Sequence, residues 1–208
     1  MALNAQTAHS VAEIVKQKIT RFQRGRVFSA EHLHVEGSRQ AVQRSLSRLA
    51  EEGQICRIQN GIYYKPEYSP ILKGKRLPPD LNETIKVIAK KNNETIQIHG
   101  AIAANKLGLS TQVPLTKVFY TNGISREIEI AGSRVKFIHT ANRKLLQHAG
   151  TDVGMAIATL YYLGKDLVNE QVIQHIQSRL TEKEFEQLAK AELTHWMKSA
   201  LKGGRPHA

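Results

Sequence analysis

The first 68 residues contain helix and hairpin signals in an order that leaves few folds open. Ser10 and Glu13 have the spacing of a capping box, Ser38 is a good N-cap for a later helix, and Asn60-Gly61 is the strongest short signal for a hairpin turn. The predicted elements are a helix over 10–22, an extended piece over 27–28, a short helix over 29–35, a helix over 38–53, and strands over 55–59 and 62–65. This order is typical of a winged helix-turn-helix.

A proline-rich segment follows that motif. Pro66, Pro70, Pro78 and Pro79 fall within fifteen residues, a density that excludes regular structure, so 69–80 is predicted to be a linker. Beyond it we predict helices over 81–91 and 100–107, strands over 95–98 and 115–121, a hairpin of 127–130 with 134–140, and helices from 152 onward. The predicted fold class is α+β: a winged helix-turn-helix domain over 1–68, a Pro/Lys linker over 69–80, a mixed α/β domain over 81–201 that ends in a helical bundle, and a flexible tail over 202–208.

The charge of the chain points to a polyanionic partner. Its 208 residues include 30 Lys and Arg against 18 Asp and Glu, which gives a formal net charge of +12. Residues 69–150 contain 13 of the cations and 5 of the acids, so the middle is the most basic part. One cysteine allows no internal disulfide, and no apolar stretch approaches the roughly 20 residues that span a bilayer. We therefore expect a cytoplasmic protein without membrane contact.

The polar face of the helix after Ser38 provides the sharpest functional prediction. In a helix-turn-helix the second helix enters the major groove, where Arg can donate two hydrogen bonds to guanine and Gln can pair with adenine. The predicted contacts to double-stranded DNA are Ser38, Arg39, Gln40, Gln43, Arg44 and Arg48 on the helix, and Arg57, Asn60, Gly61 and Lys65 on the hairpin. The alternative is an ordinary solvated face, but the absence of any acid between Gly37 and Ala50 favours DNA.

Signals for catalysis are missing from the sequence. The histidines lack the i, i+3 or i+4 pairing of metal ligands, and no nucleophile elbow, Walker loop or dinucleotide fingerprint is present. Glu127 and Glu129 are the only acids between residues 95 and 150, too few for a metal-dependent nuclease. His99 is expected to cap a strand end in a core, and Gln112 and Pro114 to shape a connection. We predict no enzyme activity, no metal and no cofactor.

Two sets of residues resemble a known family. A first set resembles the winged-helix half of the AbiEi antitoxins: Ser38-Arg39-Gln40-Ala41-Val42, Leu49, Gly53, Asn60-Gly61-Ile62-Tyr63-Tyr64 and Pro66. A second set resembles that family's second domain, in a branch catalogued as a domain of unknown function: His99-Gly100-Ala101, Leu107-Gly108-Leu109-Ser110-Thr111-Gln112-Val113-Pro114 and Tyr120-Thr121-Asn122-Gly123. The resemblance covers about residues 10–200, and the second set is the more specific.

The resemblance implies a DNA-binding repressor that is also an antitoxin. The winged helix would bind inverted repeats in its own promoter, and the second domain would counteract a nucleotidyltransferase toxin without a stable complex, in a type IV toxin-antitoxin system of phage defence. A second basic surface would extend the DNA contact or engage the toxin's tRNA or nucleotide, and its candidates are Lys73, Lys75, Arg76, Arg126, Arg134 and Lys136. Two alternatives stay open: a winged-helix regulator whose second domain senses a ligand or protein, and a nuclease.

Overall fold

The computed structural model describes residues 10–112 and 115–203, and over those residues the fold is α+β. Eight α-helices and two small sheets occur within the described ranges. The chain divides into two compact units, Met1–Asn93 and Glu94–Ala208. In the part of the chain that is described, none of the helices has the length and apolar character needed to cross a bilayer.

Three α-helices and a three-stranded sheet make up the described part of the first unit. Along the chain they are α1 (Val11–Thr20), β1 (Val27–Ser29), a 3-10 helix (Ala30–Leu33), α2 (Arg39–Glu51), β2 (Cys56–Gln59), β3 (Ile62–Tyr64) and α3 (Leu81–Asn92). The sheet is antiparallel with the order β1-β3-β2. The capping box predicted at Ser10 and Glu13 is present, and Ser38 caps α2, so both predicted helix starts are confirmed.

The core of the first unit lies between the first two helices and the sheet. Val42, Leu46 and Leu49 form the buried stripe of α2 that the helical period predicts. They pack with buried residues of α1, β1, the 3-10 helix, β3 and the position before β2: Val15, Ile19, Phe28, Leu33, Tyr63 and Ile55. Because this stripe faces inward, the polar residues of α2 are left on the opposite side of the helix.

The proline-rich segment is an ordered loop instead of the linker predicted for 69–80. Tyr68 and Arg76 form an isolated antiparallel bridge, and the backbone amide of Ser69 donates to the carbonyl of Lys75 at 2.9 Å. The prolines are compatible with this loop because none of them sits at a position where the bridge needs an N–H donor. Density of proline excludes a long strand or a helix, but it does not exclude a short, internally bonded loop.

Helix α3 belongs to the first unit, whereas the sequence predicted that the second domain begins at residue 81. The bounds of α3 agree with those of the predicted helix, and the Asp80 carboxylate caps α3 by accepting a hydrogen bond of 2.8 Å from the amide of Glu83. The helix packs against β1, and Lys91 donates a hydrogen bond to the carbonyl of Asn60 at the β2–β3 turn. These contacts between distant parts of the sequence place the unit boundary after the helix, between Asn93 and Glu94.

The second unit begins with a mixed four-stranded sheet. Its elements are β4 (Ile96–Ile98), α4 (Gly100–Lys106), β5 (Lys117–Thr121), β6 (Arg126–Ile130) and β7 (Ser133–His139), in the strand order β4-β5-β7-β6. Strands β5 and β7 are parallel, and the other two pairings are antiparallel. The hairpin predicted from 127–130 and 134–140 is confirmed as β6 and β7, and its turn is Ala131-Gly132, where both residues have positive φ.

Four helices complete the second unit: α5 (Asp152–Leu167), α6 (Glu170–Arg179), α7 (Glu182–Lys190) and α8 (His195–Gly203). They share a buried core centred on Ile157, Leu160 and Ile173. Helices α4 and α5 cross closely, because a Cβ at Gly100 would lie 2.5 Å from the carbonyl oxygen of Ala158. Residues 202–203 of the predicted tail are helical; residues 204–208 and the predicted connection at Val113-Pro114 lie outside the described residues.

Candidate nucleic-acid interface

The start of α2 is fixed from both sides of the preceding turn. Lys18 of α1 donates to the carbonyls of Leu33 at 2.6 Å and His34 at 2.9 Å, and His34 takes a left-handed conformation with φ of 44°. The Ser38 hydroxyl then accepts from the amide of Ala41 at 3.2 Å. These bonds determine where α2 begins and in which direction its exposed face points.

The exposed face of α2 is cationic and glutamine-bearing. At 100° per residue, Gln40 and Arg44 lie near the middle of the side opposite the buried stripe, and Arg48 lies one turn beyond. Arg44 and Arg48 are exposed and form no hydrogen bond or ion pair with another described residue, whereas Gln43 is half-buried. The first turn contains no acid, so the partial positive charge of the helix N-terminus adds to the field of the guanidinium groups.

Arg39 stands at the edge of this face. Its side chain is 89% exposed, and its guanidinium lies 4.0 Å from the carboxylate of Glu31 in the 3-10 helix. An exposed pair at this distance is screened by water and contributes little. Arg39 is therefore available to a stronger anion than Glu31.

Arg57 of β2 is held beside α2 by two neutral hydroxyls. Its guanidinium donates to Ser47 at 3.0 Å and to Tyr63 at 3.3 Å, and it lies 5.5 Å from the centre of the Tyr63 ring. Hydroxyl partners orient a guanidinium without neutralising it, and a guanidinium has five N–H donors. The arrangement adds an oriented cation to the α2 face. Sequence reasoning found Arg57 but missed Ser47 and Tyr63, because the contact joins residues that no local pattern connects.

Lys65 does not face outward as the sequence predicted. Its ammonium donates to the carbonyls of Thr20 at 2.7 Å and Phe22 at 2.8 Å, just where α1 ends. These carbonyls have no partner within the helix, and a cation also complements the negative end of the helix dipole. Lys65 is a C-terminal cap of α1 instead of a member of the exposed cationic set.

The tip of the hairpin is covered by α3. Gly61 is buried with φ of 72°, and a Cβ there would lie 2.9 Å from the ammonium of Lys91, which also bonds the carbonyl of Asn60. Of the two turn residues, Asn60 is exposed and Gly61 is not. The hairpin therefore exposes Arg57 and Asn60 to solvent, while Gly61 supplies the positive φ that the turn requires.

The predicted second basic surface is divided between the two units. Lys73, Lys75 and Arg76 are exposed in the ordered loop of the first unit, where Arg76 donates to the sulfur of Cys56 at 3.1 Å. Arg126, Arg134 and Lys136 belong to the sheet of the second unit. Neither unit therefore contains all six of the predicted cations.

The three cations of the second unit are matched by acids. Arg126 is only 19% exposed, and its guanidinium bonds both carboxylate oxygens of Glu94 at 2.9 and 2.6 Å. Arg134 and Lys136 lie directly across the β6–β7 ladder from Glu129 and Glu127. Opposite charges at facing positions stabilise such a ladder. This part of the sheet is charge-balanced, contrary to the predicted basic surface.

The chain belongs to a family of unknown function, DUF6088, whose model matches residues 14–188. No curated protein matches the sequence. A solved structure, the crystal structure of RV2827C protein from Mycobacterium tuberculosis, is 13% identical; the match covers 94% of this chain and 81% of that chain, with a TM-score of 0.39.

Proposed function

We propose that this protein is a winged-helix transcriptional repressor that binds double-stranded DNA through the exposed face of α2. The observation that supports the proposal most directly is the acid-free first turn of α2 together with two unpaired guanidinium groups, Arg44 and Arg48, and the oriented cation Arg57 beside them. Exposed arginines with full donor capacity suit the phosphates and base edges of a duplex.

The order and pairing of elements in the first unit support a winged helix-turn-helix. In this interpretation the 3-10 helix and α2 form the helix-turn-helix, α2 is the recognition helix, and β2–β3 is the wing. Gln40 and Arg44 are assigned to base edges in the major groove, and Arg48 and Arg57 to phosphates. Lys65 is omitted because its ammonium is used by α1, and Gly61 because α3 covers it.

The regulated gene and the antitoxin role follow from the resemblance to the AbiEi family. On that basis the protein represses its own operon by binding inverted repeats in the promoter, and it counteracts a nucleotidyltransferase toxin encoded beside it without a stable complex. A second candidate function is a regulator whose second unit senses a small ligand. An open cleft in that unit, lined by six polar residues together with Ala141 and Leu146, favours this candidate.

Fluorescence anisotropy with the DNA upstream of the gene tests the proposal. The double variant Arg39→Ala, Arg44→Ala is expected to lose binding at least about 30-fold, because each good arginine contact contributes about 1–3 kcal/mol and two are removed. The matched control is Arg134→Ala, Arg179→Ala, which removes two exposed arginine side chains from β7 and α6 of the other unit. Equal affinities of the double variant and the control would overturn DNA binding through α2.

Co-expression with the neighbouring gene separates the two functional candidates. An antitoxin restores growth to cells that express a neighbouring nucleotidyltransferase, whereas a ligand-sensing regulator does not. Loss of rescue upon deletion of the second unit, with DNA binding retained, is the result that the antitoxin role predicts.

A further inference from the structure

The second unit contains an open cleft of about 740 Å³ at one end of its sheet. It lies where the parallel strands β5 and β7 end, between Asn122, which follows β5, and Thr140, which follows β7. The amide of Thr140 donates to the carbonyl of Thr121 at 2.9 Å, which ties the two strand ends together. The carboxyl ends of parallel strands are where α/β proteins commonly bind ligands, and the volume is within the range of small-molecule sites.

The cleft is lined by hydrogen-bond donors that the protein itself does not use. Arg143 is exposed and forms no hydrogen bond or ion pair with another described residue. The Asn122 side chain accepts from the amide of Thr95 at 2.8 Å through its oxygen, which leaves its NH2 group to donate. The hydroxyl of Thr140 accepts from the amide of Asn142 at 3.2 Å, so its proton is also available to a ligand.

Two further lining residues are held in place by the surrounding backbone. The Nδ1 atom of His139 lies 2.7 Å from the carbonyl oxygen of Gly123, so this nitrogen donates and Nε2 is left for a ligand. The side chain of Gln147 donates to the carbonyl of Glu192 at 2.9 Å and accepts from the amide of Glu192 at 2.8 Å. The Gln147 side chain also donates to the carbonyl of Lys144 at 2.8 Å, so both of its N–H groups are used within the protein. These bonds hold the wall of the cleft in place, and the donors that remain for a ligand are those of Arg143, Asn122 and Thr140.

Among the described residues that line the cleft there is no acid. Glu94 precedes the lining residue Thr95 in the chain, but its carboxylate is bound by Arg126 at 2.6 and 2.9 Å. A donor-rich cleft with one unpaired guanidinium and no lining carboxylate is complementary to an oxyanion.

We propose that this cleft binds a small phosphate monoester, with the phosphate on Arg143 and the donors of Asn122 and Thr140. A phosphate offers three oxygens to donors that converge from both strand ends, and Arg can bind two of them at once. The remaining volume accommodates an organic group about the size of a nucleoside. The inference is independent of DNA binding by α2, because it concerns the second unit alone.

Isothermal titration of the full chain with AMP, adenosine and inorganic phosphate, at constant ionic strength, tests this site. We expect saturable binding of AMP, weaker binding of inorganic phosphate, and no binding of adenosine. Arg143→Gln is expected to weaken AMP about 10- to 100-fold, since a hydrogen-bonded charge is lost. Lys144→Gln is the matched control, because it makes the same change of charge on the adjacent exposed residue outside the lining.

A second variant tests the cleft without a change of charge. Ala141 lines it and is exposed, so Ala141→Phe fills the space and should block AMP while the protein stays folded. Equal weakening of AMP by Arg143→Gln and Lys144→Gln would assign the effect to the net charge of the protein and refute the site. Unsaturable binding of AMP, or binding of adenosine as tight as that of AMP, would also refute it.

Discussion

Lys65→Met tests whether Lys65 caps the C-terminal end of α1, as the structure shows, or contacts DNA, as the sequence predicts. Methionine keeps most of the aliphatic stem and removes the ammonium, so the carbonyls of Thr20 and Phe22 lose bonds of 2.7 and 2.8 Å. A hydrogen bond from a charged group contributes about 1.5–3 kcal/mol when sheltered. Because the first of these bonds is exposed and the second only part-buried, water replaces much of the loss, and we expect a cost of about 1–2 kcal/mol.

Hydrogen exchange of the α1 amides in the full chain is the suitable assay. Lys65→Met should lower their protection about 5- to 30-fold, which corresponds to that free energy. Lys16→Met is the matched control, since Lys16 is exposed on the same helix and its side chain bonds no described residue. The affinity for promoter DNA should change less than twofold. Unchanged protection of α1 would refute the capping role. A loss of affinity as large as that of the Arg39→Ala, Arg44→Ala double variant would show that Lys65 is a DNA contact.

Two further predictions concern the second unit. Arg126→Met should lower the free energy of unfolding of the second unit by about 3 kcal/mol in urea, monitored by Trp196 fluorescence, because the nearly buried Glu94 carboxylate loses both hydrogen bonds from the guanidinium. Arg134→Met removes an exposed arginine from β7 and should cost less than about 0.5 kcal/mol. Similar costs for both variants would contradict the difference in burial. Burial lowers the pKa of His99, so the unfolded chain takes up a proton more readily and the stability from this group falls as pH drops below about 6.5. His99→Asn keeps an N-cap for α4 and removes the titratable group. In urea titrations, the free energy of unfolding of the wild type should therefore fall relative to that of the variant between pH 7 and pH 5. A difference in free energy that stays constant over this range would exclude His99 as a source of pH dependence.

Local signals predicted most of the individual elements. The buried stripe of α2 follows from helical period, the capping box at Ser10 follows from fixed spacing, and the Asn60-Gly61 turn follows from glycine's tolerance of positive φ. Each of these depends on interactions between residues only a few positions apart. Such interactions are visible in one sequence.

The structural roles of the cations were not predictable in the same way. Lys65 bonds residues 43 and 45 positions earlier, and Arg126 bonds Glu94, 32 positions away. No pattern in the sequence indicates such a distant pairing. From sequence alone, a lysine or arginine on the polar side of an element is therefore predicted to face solvent or a ligand. The packing of α3 on β1 and the parallel pairing of β5 with β7 were missed for the same reason. Tertiary contacts decided which of the predicted site residues remain exposed.

Disulfide cross-linking of α2 to DNA tests the proposed binding face most directly. In a Cys56→Ser background, Gln40→Cys is combined with promoter DNA that has a thiol tethered to a base in the major groove. We expect efficient cross-linking at one position in each half-site, while Gln174→Cys on α6, which is also exposed, reacts only at background level. If both cysteines react alike at every tethered position, the exposed face of α2 does not enter the groove.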